Sequence, residues 1–346
     1  MYQLLQLSPQ VLKMQRREAQ TKREKQQLLL AMILRSVLLI LFAMVYISFF
    51  SFFFGQENVS VGVGSFCILL GARFVSYGYN IKESLLSMGL VFLLMFVSSL
   101  SVIANHPWIG LVVHFLSLLI ILVVTANEPK MGNAGIYVFT YLFVSASPVS
   151  GTAIFSRAVA FVYIFFLCGG IFYKKHKGKF EDCGIQQLVN KFHLNSKLSQ
   201  WQLRLAGGVS FVLFIGQALN LPKAVWMGYA CMSVLLPYEN RIRERLAGRM
   251  GGILLGSFLY GLFSLAIPKS FTPMLAPLAG IFLGFCATYF WTTVFNCFGA
   301  LTLASSIYGL GPAIIIRVQN NFIGGCVALI SLIAVEYIMK NKRKNE

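Results

Sequence analysis

The strongest constraint on this chain is a succession of uninterrupted apolar runs. Ser36 to Phe54, Leu85 to Ala104 and Leu111 to Ala126 contain no lysine, arginine, aspartate or glutamate. Each approaches the ~20 helical residues that carry a backbone across a ~30 Å hydrocarbon layer. Backbone in lipid must close its hydrogen bonds within a helix or a sealed barrel, and these runs lack the alternating polar face of barrel strands. The fold class is therefore all-α, a polytopic membrane protein. The composition agrees: 57% of the 346 residues are hydrophobic, 12% are charged, and the mean hydropathy is +0.73.

A formal charge of +18 raises the question of nucleic acid. The cations, however, sit in blocks between apolar runs, where membrane topology needs them, so no nucleic-acid partner is expected. The seven cysteines (Cys67, Cys168, Cys183, Cys231, Cys286, Cys297, Cys326) form no CxxC pair or other metal spacing and read as small packing residues. No metal or cofactor is expected. A basic stretch precedes the first apolar run and no small-residue cleavage site follows a short apolar core, so the N-terminus reads as a retained cytoplasmic segment.

About twelve spans are expected, near 33–54, 61–77, 83–104, 109–126, 133–148, 152–173, 201–219, 223–237, 247–267, 274–290, 293–309 and 314–339. This divides the chain into a basic segment 1–32, a first six-helix half 33–173, a linker 174–200, a second half 201–339 and a basic tail 340–346. Four clusters of lysine and arginine set the orientation: Lys13 to Lys25, Lys174 to Lys179, Arg241 to Arg249 and Lys340 to Lys344. An even number of spans places all four in the cytoplasm with both termini. Only Lys223 and Lys269 fall at loops assigned to the outside.

The halves also echo each other. Arg35 corresponds to Arg204, Gly62 to Gly228, Met88-Gly89 to Met250-Gly251, Pro107 to Pro277, and Arg157 to Arg317. Six spans per half give two parallel repeats about an axis along the membrane normal, with a candidate site between them, an architecture of transporters more than of anchors.

Charge within lipid is costly, about 2.5–3.5 kcal/mol on insertion scales. Here the intramembrane set has one sign: Arg35 and Arg204 at the cytoplasmic end of corresponding spans, Arg157 and Arg317 near the outer end. No carboxylate is expected at mid-membrane. Glu83, Glu239, Glu244 and Glu336 lie near cytoplasmic ends, where pairing with a neighbouring base is the simpler role. A positive pathway suits a carboxylate, which the guanidinium fork matches bidentately. The simpler alternative is snorkelling to lipid phosphate, strongest for Arg35 and Arg204.

Two segments concentrate the signal. Asn240 to Gly252 brings Arg245 and Arg249 to a helix start and follows them with Gly248, Gly251 and Gly252, small residues that admit a neighbouring helix. Arg317, Asn320, Asn321 and Gly324, with Gly325, form a polar, close-packed stripe at helical spacing. The Tyr289-Phe290-Trp291 run could stack on an aromatic acid, although such residues more often mark interface belts. His114, alone within a span, reads as a hydrogen-bonded packing residue.

In these two segments the chain resembles the fusaric-acid-resistance-like (FUSC) membrane proteins, which include aromatic carboxylic acid exporters. Arg245 with Leu246-Ala247-Gly248 and Gly251-Gly252, then Arg317 with Asn320-Asn321 and Gly324-Gly325, look like that family's blocks in order. The resemblance covers Gln202 to Ala334 well and the first half weakly. It implies a twelve-helix inner-membrane exporter of organic anions, a candidate for drive by the proton gradient, with membrane lipid and a small organic anion as partners. Two departures stand out: Asn320 and Asn321 occupy the last block where an acid often accompanies the arginine, and the linker is far shorter than the family's cytoplasmic domain. An anion channel, a lipid-linked transferase and a membrane scaffold are the competing functions. The transferase lacks a catalytic cluster. The glycine faces permit a homodimer, and size permits a monomer.

Overall fold

The computed structural model describes residues 1–238 and 241–345, without the side chains of 336 and 338–345. Glu239 and Asn240, the side chain of Glu336 and those of the basic tail therefore lie outside the described residues. The described chain is all-helical, and seven of its helices are long and apolar enough to cross a membrane.

In order, the helices are α1 (Tyr2–Leu5), α2 (Pro9–Glu18), α3 (Lys22–Phe54), α4 (Val59–Ala72), α5 (Ile81–Ser98), α6 (Ser101–Asn105), α7 (Pro107–Thr125) and α8 (Asn133–Ser145). They continue with α9 (Ala153–His176), α10 (Ile185–Asn190), α11 (Lys197–Ala218), α12 (Val225–Leu235), α13 (Ile242–Ala266), α14 (Leu275–Leu283), α15 (Tyr289–Tyr308) and α16 (Leu310–Asn345). A helix overlies each of the expected spans. The membrane-crossing candidates by length are α3, α5, α7, α9, α13, α15 and α16, while α8, α12 and the 269–283 stretch are apolar but shorter.

Several expected boundaries are corrected. The 61–77 span stops at Ala72. The 83–104 span breaks at Ser99-Leu100, where the backbone pairs instead with Val149: Ser101 N–H donates to Val149 O at 3.0 Å and Val149 N–H to Ser99 O at 2.9 Å. The 274–290 span ends at Leu283, and Tyr289 and Phe290 open the next helix, because 284–288 form turns and Thr288 is extended. Gly309 has φ +82°, a left-handed conformation that suits glycine, and it separates α15 from α16. The linker is ordered rather than loose. Asn80 N–H donates to Cys183 O at 2.8 Å, and Ile185 N–H donates to the Glu83 carboxylate at 2.5 Å. Glu83 thus accepts from linker backbone, not from a neighbouring base.

By contact the chain forms two units, one of 1–45 with 243–321 and one of 46–242 with 322–346, the boundaries falling within α3 and α16. In the first, the N-terminal segment is packed. Ser8 caps α2 by accepting from Val11 N–H, Pro9 takes the first turn, and Leu12 buries fully against Leu28 and Met32, with Phe285 alongside. Gln10 donates to Ala287 O at 3.0 Å. In the second unit, α7 packs along α11, α4 along α8, and α5 along α9.

Within lipid, helices gain little from hydrophobicity and associate through close packing. The glycines show it. A Cβ on Gly252 would sit 2.8 Å from Thr293 Cβ, and one on Gly256 would sit 2.6 Å from Val294 O, so α13 and α15 meet nearly at their backbones. On the other unit, Gly324 of α16 lies against Met227 O and Ala230 of α12.

Candidate functional site

The densest polar feature of the first unit joins α13 to α16. Arg249 is 7% exposed, and its Nε and Nη2 both donate to Asn321 Oδ1, at 3.0 and 2.8 Å. Asn321, wholly buried, turns its own amide nitrogen back to Arg317 O at 2.7 Å. The asparagine thus accepts from one helix and anchors to its own, one turn earlier, so its position is fixed from both ends. Arg317 and Asn320 are also buried, each at 4% exposure. A buried cation whose side-chain partner is a neutral amide keeps its full charge, whereas a carboxylate there would cancel it.

One turn before Arg249, the Arg245 guanidinium carbon stands 4.4 Å over the Tyr289 ring, a cation–π contact at the start of α15. Gly248 makes room for that ring: a Cβ there would come 3.3 Å from Tyr289 Cδ1. Gly251 faces Phe290 in the same way, and Gly252 faces Thr293. The Arg-Gly segment is therefore one structure, in which glycines at helical spacing bring α15 close enough for Tyr289 to reach Arg245. Tyr289 and Phe290 are spent on α13, while Trp291 is 48% exposed.

Five of the expected pathway residues, Arg245, Arg249, Arg317, Asn320 and Asn321, thus fall on α13 and α16 of one unit. The other three are on other helices, Arg35 in the same unit and Arg204 and Arg157 in the second. Arg35, on α3, and Arg204, on α11, are each half-buried. Arg157, on α9 in the second unit, is fully buried and engaged with the α3–α4 connection. Its Nε donates to Asn58 Oδ1 at 2.6 Å, and its Nη2 donates to Glu57 O and to Ser147 O. Asn58 donates in turn to Phe54 O and Ser156 Oγ. The α3–α4 and α8–α9 connections are tied together by one side chain. Of the expected packing glycines, Gly325 is buried on α16 beside Gly324.

The partnership of Arg249 with Asn321 was missed from sequence, because an arginine and an asparagine 72 positions apart carry no shared spacing. A second missed network lies in the other unit, where His114 contacts Tyr141 and Gln217, and Tyr77 hydrogen-bonds Tyr137. Its members are scattered over four elements, and only His114 drew notice. The cysteines Cys168, Cys231 and Cys297 are buried and all seven are free. Among the described residues no cluster of three or more His, Cys, Asp or Glu could hold a metal.

Compared with known proteins, residues 210–331 match the family described as fusaric acid resistance protein-like. The matched stretch contains α13, α15 and the first part of α16, and so holds all of Arg245, Arg249, Arg317, Asn320 and Asn321. No curated protein and no solved structure matches the chain.

Proposed function

We propose, from a second half that carries the fusaric acid resistance protein-like pattern, that this chain is a membrane transporter that exports organic, aromatic carboxylate anions. The observation that carries the reading is the state of Arg249. It is a buried guanidinium whose hydrogen-bond partner is the neutral Asn321, with Arg317 one turn away on the same helix as Asn321. Such charge is costly in lipid unless something uses it, and an anion crossing the membrane does. Arg245 over Tyr289 adds a cation beside an aromatic face, the chemistry an aromatic carboxylate would meet.

The architecture we infer is about twelve spans in two parallel six-helix repeats. Three helix pairings support that reading. α7 of the first half packs on α11 of the second, and α14 of the second packs on α3 of the first, through Gly280 against Ile40 and Gly284 against Ser36. α5 pairs with α9, and α13 with α16. α4 pairs with α9, and α12 with α16. Reciprocal exchange of the first kind is expected of a twofold and not of two independent bundles. The basic clusters favour the plasma (inner) membrane with both termini cytoplasmic. Arg157 donates to Asn58 and to the backbone carbonyls of Glu57 and Ser147, and we assign it to clamping the outer connections.

The test is uptake of labelled aromatic and aliphatic carboxylates into vesicles by the native protein beside Arg249→Gln, Arg317→Gln and Arg245→Gln. Saturable native flux, lost in Arg249→Gln and Arg317→Gln while the protein stays folded, supports a carrier. Flux that rises linearly with concentration supports an anion channel of the same architecture. Flux of no anion, or equal flux in all variants, removes the transport reading and leaves a scaffold.

A further inference from the structure

Part-way along α7, His114 is 2% exposed and held from two neighbouring helices. Its Nδ1 lies 2.8 Å from the Tyr141 hydroxyl on α8, and its Nε2 lies 3.4 Å from the amide nitrogen of Gln217 on α11. The two rings meet edge to face, 5.7 Å between centroids. The far end of that amide, Gln217 Oε1, is buried and has no hydrogen-bond partner. Leaving a buried acceptor unsatisfied costs about 1–3 kcal/mol, so this oxygen needs a use.

Both neighbours of the ring are reversible. A hydroxyl donates or accepts, and an amide presents a donor or an acceptor according to which end is turned. In the observed arrangement the amide N–H end faces Nε2, which therefore accepts, and Nδ1 carries the ring proton towards Tyr141. If the amide turns over, Oε1 faces Nε2, and the ring can hold a second proton with both N–H groups satisfied. Tyr141 keeps an outlet for its own proton, since Ser98 and Ser117 are its other hydrogen-bonding neighbours. The absence of a side chain at Gly110 admits the amide to this position, since a Cβ there would stand 2.5 Å from Gln217 Oε1.

Among the described residues of the helices packed most on α7, which are α5, α6, α8, α10 and α11, no carboxylate stands beside the ring. α8 presents Tyr141, with Tyr137 one turn earlier, and α11 presents Gln217, its bases Lys197 and Arg204 lying towards the other end of that helix. α6 and α10 contain no ionisable residue, and the acid and base of α5, Glu83 and Lys82, lie in its first turn, at the opposite end from Ser98.

We propose that His114 is a proton-binding site of the membrane interior, set by Gln217: a proton from the aqueous phase adds to Nε2 as the amide oxygen turns onto it. An N–H bond forms at Nε2, the O–H bond of a hydronium ion breaks to leave water, and the site gains one positive charge. On the anion-transport reading above, that charge favours a bound anion, and by linkage the anion favours the proton. The proton site itself does not depend on that reading.

The experiment is proton uptake by the purified full-length protein in lipid nanodiscs, without substrate, titrated from about pH 8 to pH 3, through and below the ordinary histidine range. Native protein should bind about one proton more than His114→Gln across that range. Gln217→Leu, which removes the acceptor, should move the His114 step down by about one pH unit, a tenfold weaker proton affinity, and Gln217→Glu should move it up. Identical curves for native and His114→Gln would overturn the proposal. Should His114→Gln not fold, histidine ring nitrogen resonances in the native and Gln217 variants decide it: a step that neither Gln217 variant moves refutes the site. Because no anion is present, these outcomes stand apart from success or failure of the transport assay.

Discussion

Two nitrogens of Arg249 converge on a single oxygen of Asn321, at 3.0 and 2.8 Å, and the amide nitrogen of that asparagine closes onto Arg317 O. Structure and function separate at this residue. Asn321→Leu leaves the guanidinium without its partner and should cost about 3 kcal/mol, read as a lower melting temperature in detergent. Asn321→Asp keeps the acceptor for Arg249 but loses the donation to Arg317 O, so its melting temperature should fall less than that of Asn321→Leu, and it cancels the charge. Anion uptake should then fall by on the order of tenfold, equivalent to ~1.4 kcal/mol in the barrier. Unchanged uptake in Asn321→Asp would detach the positive charge from the pathway.

The α13–α15 contact predicts a graded glycine series. Gly252→Ala and Gly256→Ala force Cβ atoms to within 3 Å of Thr293 Cβ and Val294 O respectively, and each should destabilise by about 1–3 kcal/mol. Gly299→Ala meets nothing within 4 Å on α15, and should be neutral or gain up to about 1 kcal/mol from helix propensity. Thermal denaturation of the three variants, side by side, checks the order.

Arg157 should behave as a clamp. Arg157→Gln loses donations to Asn58, Glu57 O and Ser147 O, a loss of about 3 kcal/mol or more. The folded fraction recovered from membranes should drop, while the protein that remains shows the native KM for whichever anion is carried. A raised KM at native stability would return Arg157 to the pathway.

At the N-terminus, Leu12 is wholly buried against Leu28 and Met32, beside Phe285. Leu12→Ala should weaken that docking by about 2–5 kcal/mol. Since Arg16 and Arg17 are exposed on the same helix, trypsin should cut there faster in the variant than in the native protein, with the α13 and α15 segments still protected.

What could be read in advance follows the physics of each signal. Span positions depend on runs of one residue class, so the long helices between α3 and α16 fell on apolar stretches, while the short α10 of the linker had no such signal. Their ends did not: Leu283 stops a helix inside apolar sequence, through turns that hydropathy does not register, and the expected 61–77 span runs on past Arg73 although its helix stops at Ala72. The glycine spacing at Gly248, Gly251 and Gly252 announced a close neighbour without naming α15. Arg249 and Asn321 were each visible as polar residues in lipid, but their pairing is a tertiary fact. His114 was legible as a hydrogen-bonded residue, and Tyr141 supplies the bond; Gln217, at the end of a span, gave no sign of facing it.

The stitch between Ser99, Ser101 and Val149 is made by main-chain atoms alone. Side chains there can therefore drift without loosening it, whereas adding or removing one residue shifts every donor past its acceptor. These two connections should consequently vary freely in letter and hardly at all in length, making this a poor place to splice in a reporter and a dependable landmark for aligning distant sequences.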